Sequence, residues 1–294
     1  MIASTAQLAQ HGRAHGYAVA AVNILDDLSL RAAVDAAVER SSPLIVQVSV
    51  KTVRSIGVEL LTTMFRLAAR DVPVPVSLHL DHCPDRAVIS AVVAAGWSSV
   101  LFDASDRDLD QAERETAEVV LESHAAGCDV ESEIENIVGV EDDIGSDESV
   151  HAYPVQTLAD VAARTGVDLL APQLGTAHGL YTSAPVLLPE RVRELAALTD
   201  LPIVLHGGTG LTDADFREFI EAGVSKINIS TGLKVAYMRA AQAATAVAEE
   251  TGRWDPPTMF RDIHAAVQAE VAGRLDMFGS SGQAESAMAT TAAR

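Results

Sequence analysis

Eight short β-rich runs, each followed by a stretch with helical periodicity, recur between residues 17 and 230 of this 294-residue chain. The runs are YAVAAVNI (17–24), PLIVQVS (43–49), VPVSLHLD (74–81), SSVLFDAS (98–105), CDVESEI (128–134), VDLLAPQ (167–173), LPIVLHG (201–207) and VSKINIS (224–230). Ala-rich amphipathic segments such as SLRAAVDAAVERS, PDRAVISAVVAAG and DLDQAERETAEVVLESHAAG separate them, and Gly96, Gly127, Gly166 and Gly223 stand where a helix should stop. Regular strand–helix alternation requires parallel strands, and eight units close into a single-domain (β/α)8 TIM barrel. An open doubly wound sheet is the alternative, but no convincing GxGxxG follows the first run. Residues 1–279 are therefore expected to form the barrel with a terminal helix. The small, polar, aperiodic stretch 280–294 is expected to be a disordered tail. One connection breaks the rhythm: residues 135–153, long and acidic, read either as a solvated loop or as a mobile flap.

Barrels assemble their active sites at the C-terminal ends of the strands, so the residues ending each run are the candidates. They are Asn23, Ser49, Asp81 with His82, Asp103 with Ser105, Glu133, Gly175 to His178, His206 with Gly207 and Gly208, and Asn228 with Ser230 and Thr231. A lone histidine beside an apolar run is usually structural. Three from three different strands, His82, His178 and His206, suit a catalytic Zn²⁺ site with one position open. Glu133 is an alternative ligand and Asp103 a candidate for a second ion. Asp81, adjacent to a ligand, reads as a general acid or base, or as a carboxylate orienting a histidine N–H. Consecutive strand residues face opposite ways, so Asp81 and His82 reach one site only where the strand is ending. HGGTG (206–210) and NIST (228–231) follow the last two strands, where barrels bind phosphate through backbone N–H groups.

Charge limits the partners. With 41 acidic against 21 basic residues, a net charge of -20 repels nucleic acid and anionic membrane surfaces. A phosphate site must then be built locally, since the lysines are only Lys51, Lys226 and Lys234. No run approaches 18 apolar residues, and Cys83 and Cys128 form no CxxC pair, so a reducing cytoplasm is expected. Cys83 lies beyond the third run and is left out of the metal set.

In LHLDH, GTAHGLY, VLHGGTG and KINIST, taken in order, with VESEIENIVGVEDD as the loop and GRLDMFGSSG as the terminal helix, the chain resembles the class II, zinc-dependent ketose-bisphosphate aldolases of the fructose- and tagatose-bisphosphate type. That resemblance implies His82, His178 and His206 as zinc ligands, with Glu133 as alternative ligand and Asp103 at a possible second site. It makes Asp81 the acid/base at the C4 hydroxyl, Glu141 the flap carboxylate that exchanges the C3 proton, and Asn228 a support for the enediolate. Asn23, Ser49, Gly179, Gly207, Gly208, Thr209, Ile229, Ser230 and Thr231 become substrate and phosphate contacts. Carbonyls around Ala177, Gly179 and Gly207 match a monovalent-cation site for Na⁺ or K⁺.

The implied reaction is reversible cleavage of a phosphorylated ketose to dihydroxyacetone phosphate and an aldehyde, in a homodimer or homotetramer. The apolar face of VQAEVAGRLDMF is offered as the pairing surface. Lys226 keeps Schiff-base chemistry as an alternative. Thr182, where fructose-type relatives carry a lysine, and Glu135 and Val138, at glycine positions of the loop, depart from the pattern. They leave the ketose open, with phosphorylated deoxy-keto acids or other sugar phosphates as alternatives. Outside that activity stand a barrel metal-dependent hydrolase and, from the altered loop, a binding or scaffold protein that kept the barrel but lost catalysis.

Overall fold

The computed structural model describes residues 1–137, 139–141, 144–146, 151–177, 179 and 185–291. Its strands are β1 (Val19–Asn23), β2 (Leu44–Ser49), β3 (Val76–Cys83), β4 (Ser99–Asp103), β5 (Asp129–Glu133), β6 (Gly139–Glu141), β7 (Ile144–Ser146), β8 (Leu169–Leu170), β9 (Ile203–Leu205) and β10 (Val224–Ile229). Eight of them pair in parallel in the closed order β1-β10-β9-β8-β5-β4-β3-β2, the TIM barrel expected from the alternation. β6 and β7 form a separate antiparallel pair inside the acidic connection, an element the periodicity did not announce.

Helices α1 (Thr5–His15), α2 (Asp27–Arg40), α3 (Val50–Ile56), α4 (Val58–Ala68), α5 (Arg86–Ala94) and α6 (Leu109–Ala125) belong to the first half. The second half carries α7 (Val155–Thr165), α8 (Pro189–Leu198), α9 (Asp213–Ala222), α10 (Thr231–Thr251), α11 (Pro256–Met277) and α12 (Ala284–Thr291). Outward strand residues such as Val46, Val48, Leu78, Leu80 and Val130 merge with the inner faces of these helices into one core. No helix among the described residues is long and apolar enough to cross a membrane.

The barrel interior changes character from one mouth to the other. At the N-terminal mouth, α1 lies across the opening, capped by Ser4 and ended by Gly16 in the left-handed region. Its Leu8 packs with Val19, Ala21 and Ile45, and its Ala9 with Leu169 and Val204. Above this apolar plug the inward positions turn polar. Gln47, Ser77, His79, Asp81, Ser99, Glu131, His206 and Lys226 are all buried. Buried polar groups of this kind persist only when they satisfy one another, so the interior is organised as a hydrogen-bonded network.

Two expectations need correcting. The stretch from residue 280 is not a tail throughout, because α12 runs to Thr291 and buries Ala284 and Ala287. Its small residues allow close packing against α1, which composition alone read as disorder. The apolar face of VQAEVAGRLDMF (267–278) is also already used within the chain. Val267, Val271, Leu275 and Phe278 are buried in the main core, and α11 packs along α2 and α10.

Candidate active site

Asp81 sits at the centre of the C-terminal mouth, 2 % exposed, with both carboxylate oxygens held by amides. Asn23 Nδ2 donates to its Oδ2 at 2.7 Å and Asn228 Nδ2 to its Oδ1 at 3.1 Å. Gln47 Nε2 in turn donates to Asn23 Oδ1, fixing that amide from below. β3 does not end at Asp81, however. It continues to Cys83, and its register against β4 slips between Leu80↔Val100 and Cys83↔Phe102, so three steps on β3 face two on β4. His82 takes up the extra residue in the left-handed region at φ 38. This bulge, rather than strand termination, turns His82 to the side Asp81 occupies.

His82 Nδ1 lies 3.4 Å from Asp103 Oδ2 and 3.6 Å from Glu133 Oε2, while His206 Nδ1 lies 3.1 Å from the same Glu133 oxygen. His82, Glu133 and His206 are buried and offer ligand atoms all within 4.8 Å of one another. Two of the three expected zinc ligands and the alternative ligand therefore converge. His178, the third, lies outside the described residues, as do Val138 and Thr182. Asp103 is adjacent but committed, since its Oδ1 accepts from Ser105 N and Ser105 Oγ.

The donor set fits a divalent cation. Glu133 Oε2 is buried, and among the described residues no hydrogen bond is aligned on it. Burial first, and then the carboxylates of Asp103, Glu131 and Asp81, hold Glu133 well above the ordinary range of a glutamate, with His82 opposing. Burial on its own would lower His82, but Glu133, Asp81 and Asp103 outweigh it and raise its affinity for a proton well above the usual imidazole value. So strong a pull on a proton marks a place built for positive charge, and two imidazoles with a carboxylate suit zinc. Cys83 is not part of it: its Sγ donates to Asp85 O, and burial pushes the thiol up to about 12.

A second group forms the wall beside the metal cluster. Gly179, Gly207, Gly208, Thr209, Asn228, Ser230 and Thr231 line one cleft at the start of the 21-residue helix α10. Ser230 is its N-cap, yet makes no capping bond, and its buried Oγ finds no hydrogen-bond partner among the described residues. The helix N-terminus therefore keeps its N–H groups and a hydroxyl for an anion. Gly207 adopts φ 68, and a Cβ there would lie 2.4 Å from Ala177 O, so this turn accepts only glycine. Ile229 has its side chain in the main core, leaving only backbone to face a substrate. Ser49 caps α3 and stands opposite Asp81 in the β2–β3 register. Glu141 ends β6, and its side chain lies outside what is described.

Gln47 and Glu131 were not anticipated, and Lys226 only as a nucleophile. Lys226 is fully buried, its Nζ 2.8 Å from Glu131 Oε2 and donating to Asn228 Oδ1 at 2.8 Å. Glu131 Oε1 meets His206 Nε2 at 2.9 Å. His79 completes the set below, bonded to Ser99 Oγ at 2.7 Å. Burial and then the charge of Lys226 hold it well below the ordinary imidazole value. The available signal was polar residues two positions before four of the strand-end candidates: Gln47 before Ser49, His79 before Asp81, Glu131 before Glu133 and Lys226 before Asn228.

Residues 3–283 match the family described as class-II fructose-bisphosphate aldolase. The fructose-bisphosphate aldolase of Geobacillus stearothermophilus is 35% identical over 271 residues, covering 91% of this chain and 93% of that one. The sulfofructosephosphate aldolase of Alkalicoccus urumqiensis is 34% identical over 223 residues, covering 76% and 78%. Among solved structures, the YdjI aldolase of Escherichia coli K12 superposes with a TM-score of 0.84 at 30% identity, covering 97% of this chain and 100% of that one. With a metal-fitting cluster, a held carboxylate and an anion cleft on one barrel mouth, the chain belongs to the class II fructose-bisphosphate aldolase family of metal-dependent lyases.

Proposed function

We propose that this protein is a zinc-dependent aldolase that reversibly cleaves a phosphorylated ketose, of the fructose- or tagatose-1,6-bisphosphate type, to dihydroxyacetone phosphate and an aldehyde. The observation that carries this reading is Asp81, a buried carboxylate fixed by Asn23 and Asn228 beside His82, with Oδ1 4.0 Å from His82 Nε2. Zinc held by His82, His206 and Glu133, together with His178, would supply a Lewis acid for the ketose carbonyl.

The protein's own groups do the rest. Asp81 takes the proton of the C4 hydroxyl as the C3–C4 bond breaks, with its two amide donors keeping the carboxylate aimed. Asn228 uses one N–H on Asp81 and keeps the other for the oxygen on which charge develops. The N-terminus of α10, with Ser230, Thr231 and the Gly207–Gly208 turn, holds a phosphate, and Glu141 on the β6–β7 hairpin returns the C3 proton. Carbonyls of Ala177, Gly179 and Gly207 would hold Na⁺ or K⁺ beneath that phosphate. The protein would work in the cytoplasm, in keeping with two free buried thiols. It would do so as a homodimer or homotetramer, joined through surfaces such as the exposed Trp254 and Phe260 rather than the buried face of α11. Sedimentation velocity reads that state directly, and a monomer at micromolar concentration would remove it.

One observation favours a second reading of the substrate. The glycine-lined cleft at the start of α10 offers one anion site, and a relative of comparable identity is named for sulfofructosephosphate. A ketose with one phosphate and a different anion at its far end would satisfy that geometry. The experiment is a panel of fructose 1,6-bisphosphate, tagatose 1,6-bisphosphate, ketose monophosphates and sulfofructosephosphate, assayed for triose phosphate release. Cleavage abolished by chelation and restored by zinc is expected with at least one of them. Release that persists after exhaustive metal removal overturns the proposal.

A further inference from the structure

Lys226 is the one cation among the described residues of the polar network beneath the site, and its surroundings exclude the role its chemistry first suggests. It is fully buried, and its Nζ is committed on two sides, to Glu131 Oε2 at 2.8 Å and to Asn228 Oδ1 at 2.8 Å. A nucleophilic amine needs a free lone pair and a path to the carbonyl carbon. We infer that Lys226 is instead a positioning residue, setting through Asn228 the amide that holds Asp81 and through Glu131 the tautomer of His206. The inference rests on the reading of Asp81 and His206 as acid/base and metal ligand.

The argument is one of donors and acceptors. An ammonium donates and cannot accept, so it holds the oxygen end of the Asn228 amide. The amide nitrogen is thereby forced towards Asp81 Oδ1, 3.1 Å away. The flipped amide would set two donors against each other at Lys226 and two acceptors against each other at Asp81. The same logic runs through Glu131. One of its oxygens faces the ammonium, which leaves the other to accept from His206 Nε2 at 2.9 Å. A proton fixed on Nε2 leaves the Nδ1 lone pair facing Glu133 and the metal cluster. One buried charge therefore orients the base and a ligand, which lie 125 residues apart in the sequence and four strands apart around the barrel but are joined at a single Nζ.

This makes a prediction that simple loss of packing does not. In Glu131→Gln, Lys226 attracts the new amide oxygen, so the amide NH₂ turns to His206 Nε2 and drives that ring's proton to Nδ1. Zinc affinity, measured by competition with a chromophoric chelator on folded protein, should fall by about 10- to 100-fold. In Glu131→Gln with Lys226→Met the amide is free to present its oxygen to His206, and zinc affinity should recover most of that loss. Lys226→Met alone should lower kcat at least tenfold with a KM change of less than about threefold, and the effect should shrink in an Asn228→Ala background. An unchanged zinc affinity in Glu131→Gln, or no recovery in the folded double variant, overturns the inference. Should the double variant not fold, the single Glu131→Gln measurement decides alone. If Asp81→Asn and Asn228→Ala keep full turnover, the fault lies with the proposed function and not with Lys226.

Discussion

At the scale of single residues, the acid/base role is concentrated in one carboxylate with two fixed donors. Asp81→Asn keeps the volume and can keep one amide contact, but it cannot accept a proton. We expect kcat to fall by about 10²- to 10⁴-fold while zinc stays bound, since His82, Glu133 and His206 are untouched. Turnover within threefold of the parent, in steady-state assays on the cleaved ketose, would assign the base elsewhere. Asp81, His82 and His206 were legible because each is a chemistry-bearing residue at the end of an apolar run, visible one strand at a time. Glu131 was not. Its importance depends on barrel closure, which brings β5 to β8, then β9 and β10, and lets one carboxylate touch both His206 and Lys226. His82 was legible as a ligand but for an incomplete reason: the bulge at φ 38 that aims it cannot be read from LHLDHC.

At the scale of elements, the eight strands and most helices followed from periodicity, while the departures arose where tertiary contacts decide. α1 and α12 are short and rich in small residues, and each is ordered by what it covers. The acidic connection is another case. Glu135, in a position expected to be glycine, is fully buried. Its Oε1 accepts from Tyr153 N and pairs with Arg191 Nη2, both at 2.6 Å, and its Oε2 accepts from Gln173 N at 3.0 Å. Asn136 Oδ1 accepts from His151 N at 3.1 Å. The two ends of the connection are thus clamped to each other and to α8, so the segment that carries β6 and β7 starts and ends at one closed neck. Removing one partner of a buried ion pair leaves an uncompensated charge. Arg191→Met should cost about 3 kcal/mol in urea unfolding. A loss under about 0.5 kcal/mol, the scale of a neutral surface change, would mean the clamp carries no load.

At the scale of the whole molecule, fold and metal are coupled through charge. The chain carries a net charge of -20, and Asp81, Asp103, Glu131 and Glu133 bring four carboxylates to one buried region where Lys226 is the cation among the described residues. Without a dication their mutual repulsion opposes folding, and at Glu133 it adds to burial, the larger cause, in raising the carboxylate's proton affinity. An ion that binds only the folded state stabilises it by RT ln(1 + [L]/Kd), about 2.7 kcal/mol at a hundredfold excess over Kd. For a domain of this size that corresponds to a rise in Tm of about 4 °C, measured by calorimetry on chelator-treated protein with and without zinc. Imidazole and carboxylate ligate only when deprotonated, so protons compete with the metal, and the rise should be smaller at about pH 6 than at about pH 8. His206→Ala should abolish it at both. Superimposable melting curves with and without zinc at the higher pH would separate the fold from the metal and remove the cluster's claim to be the site of zinc.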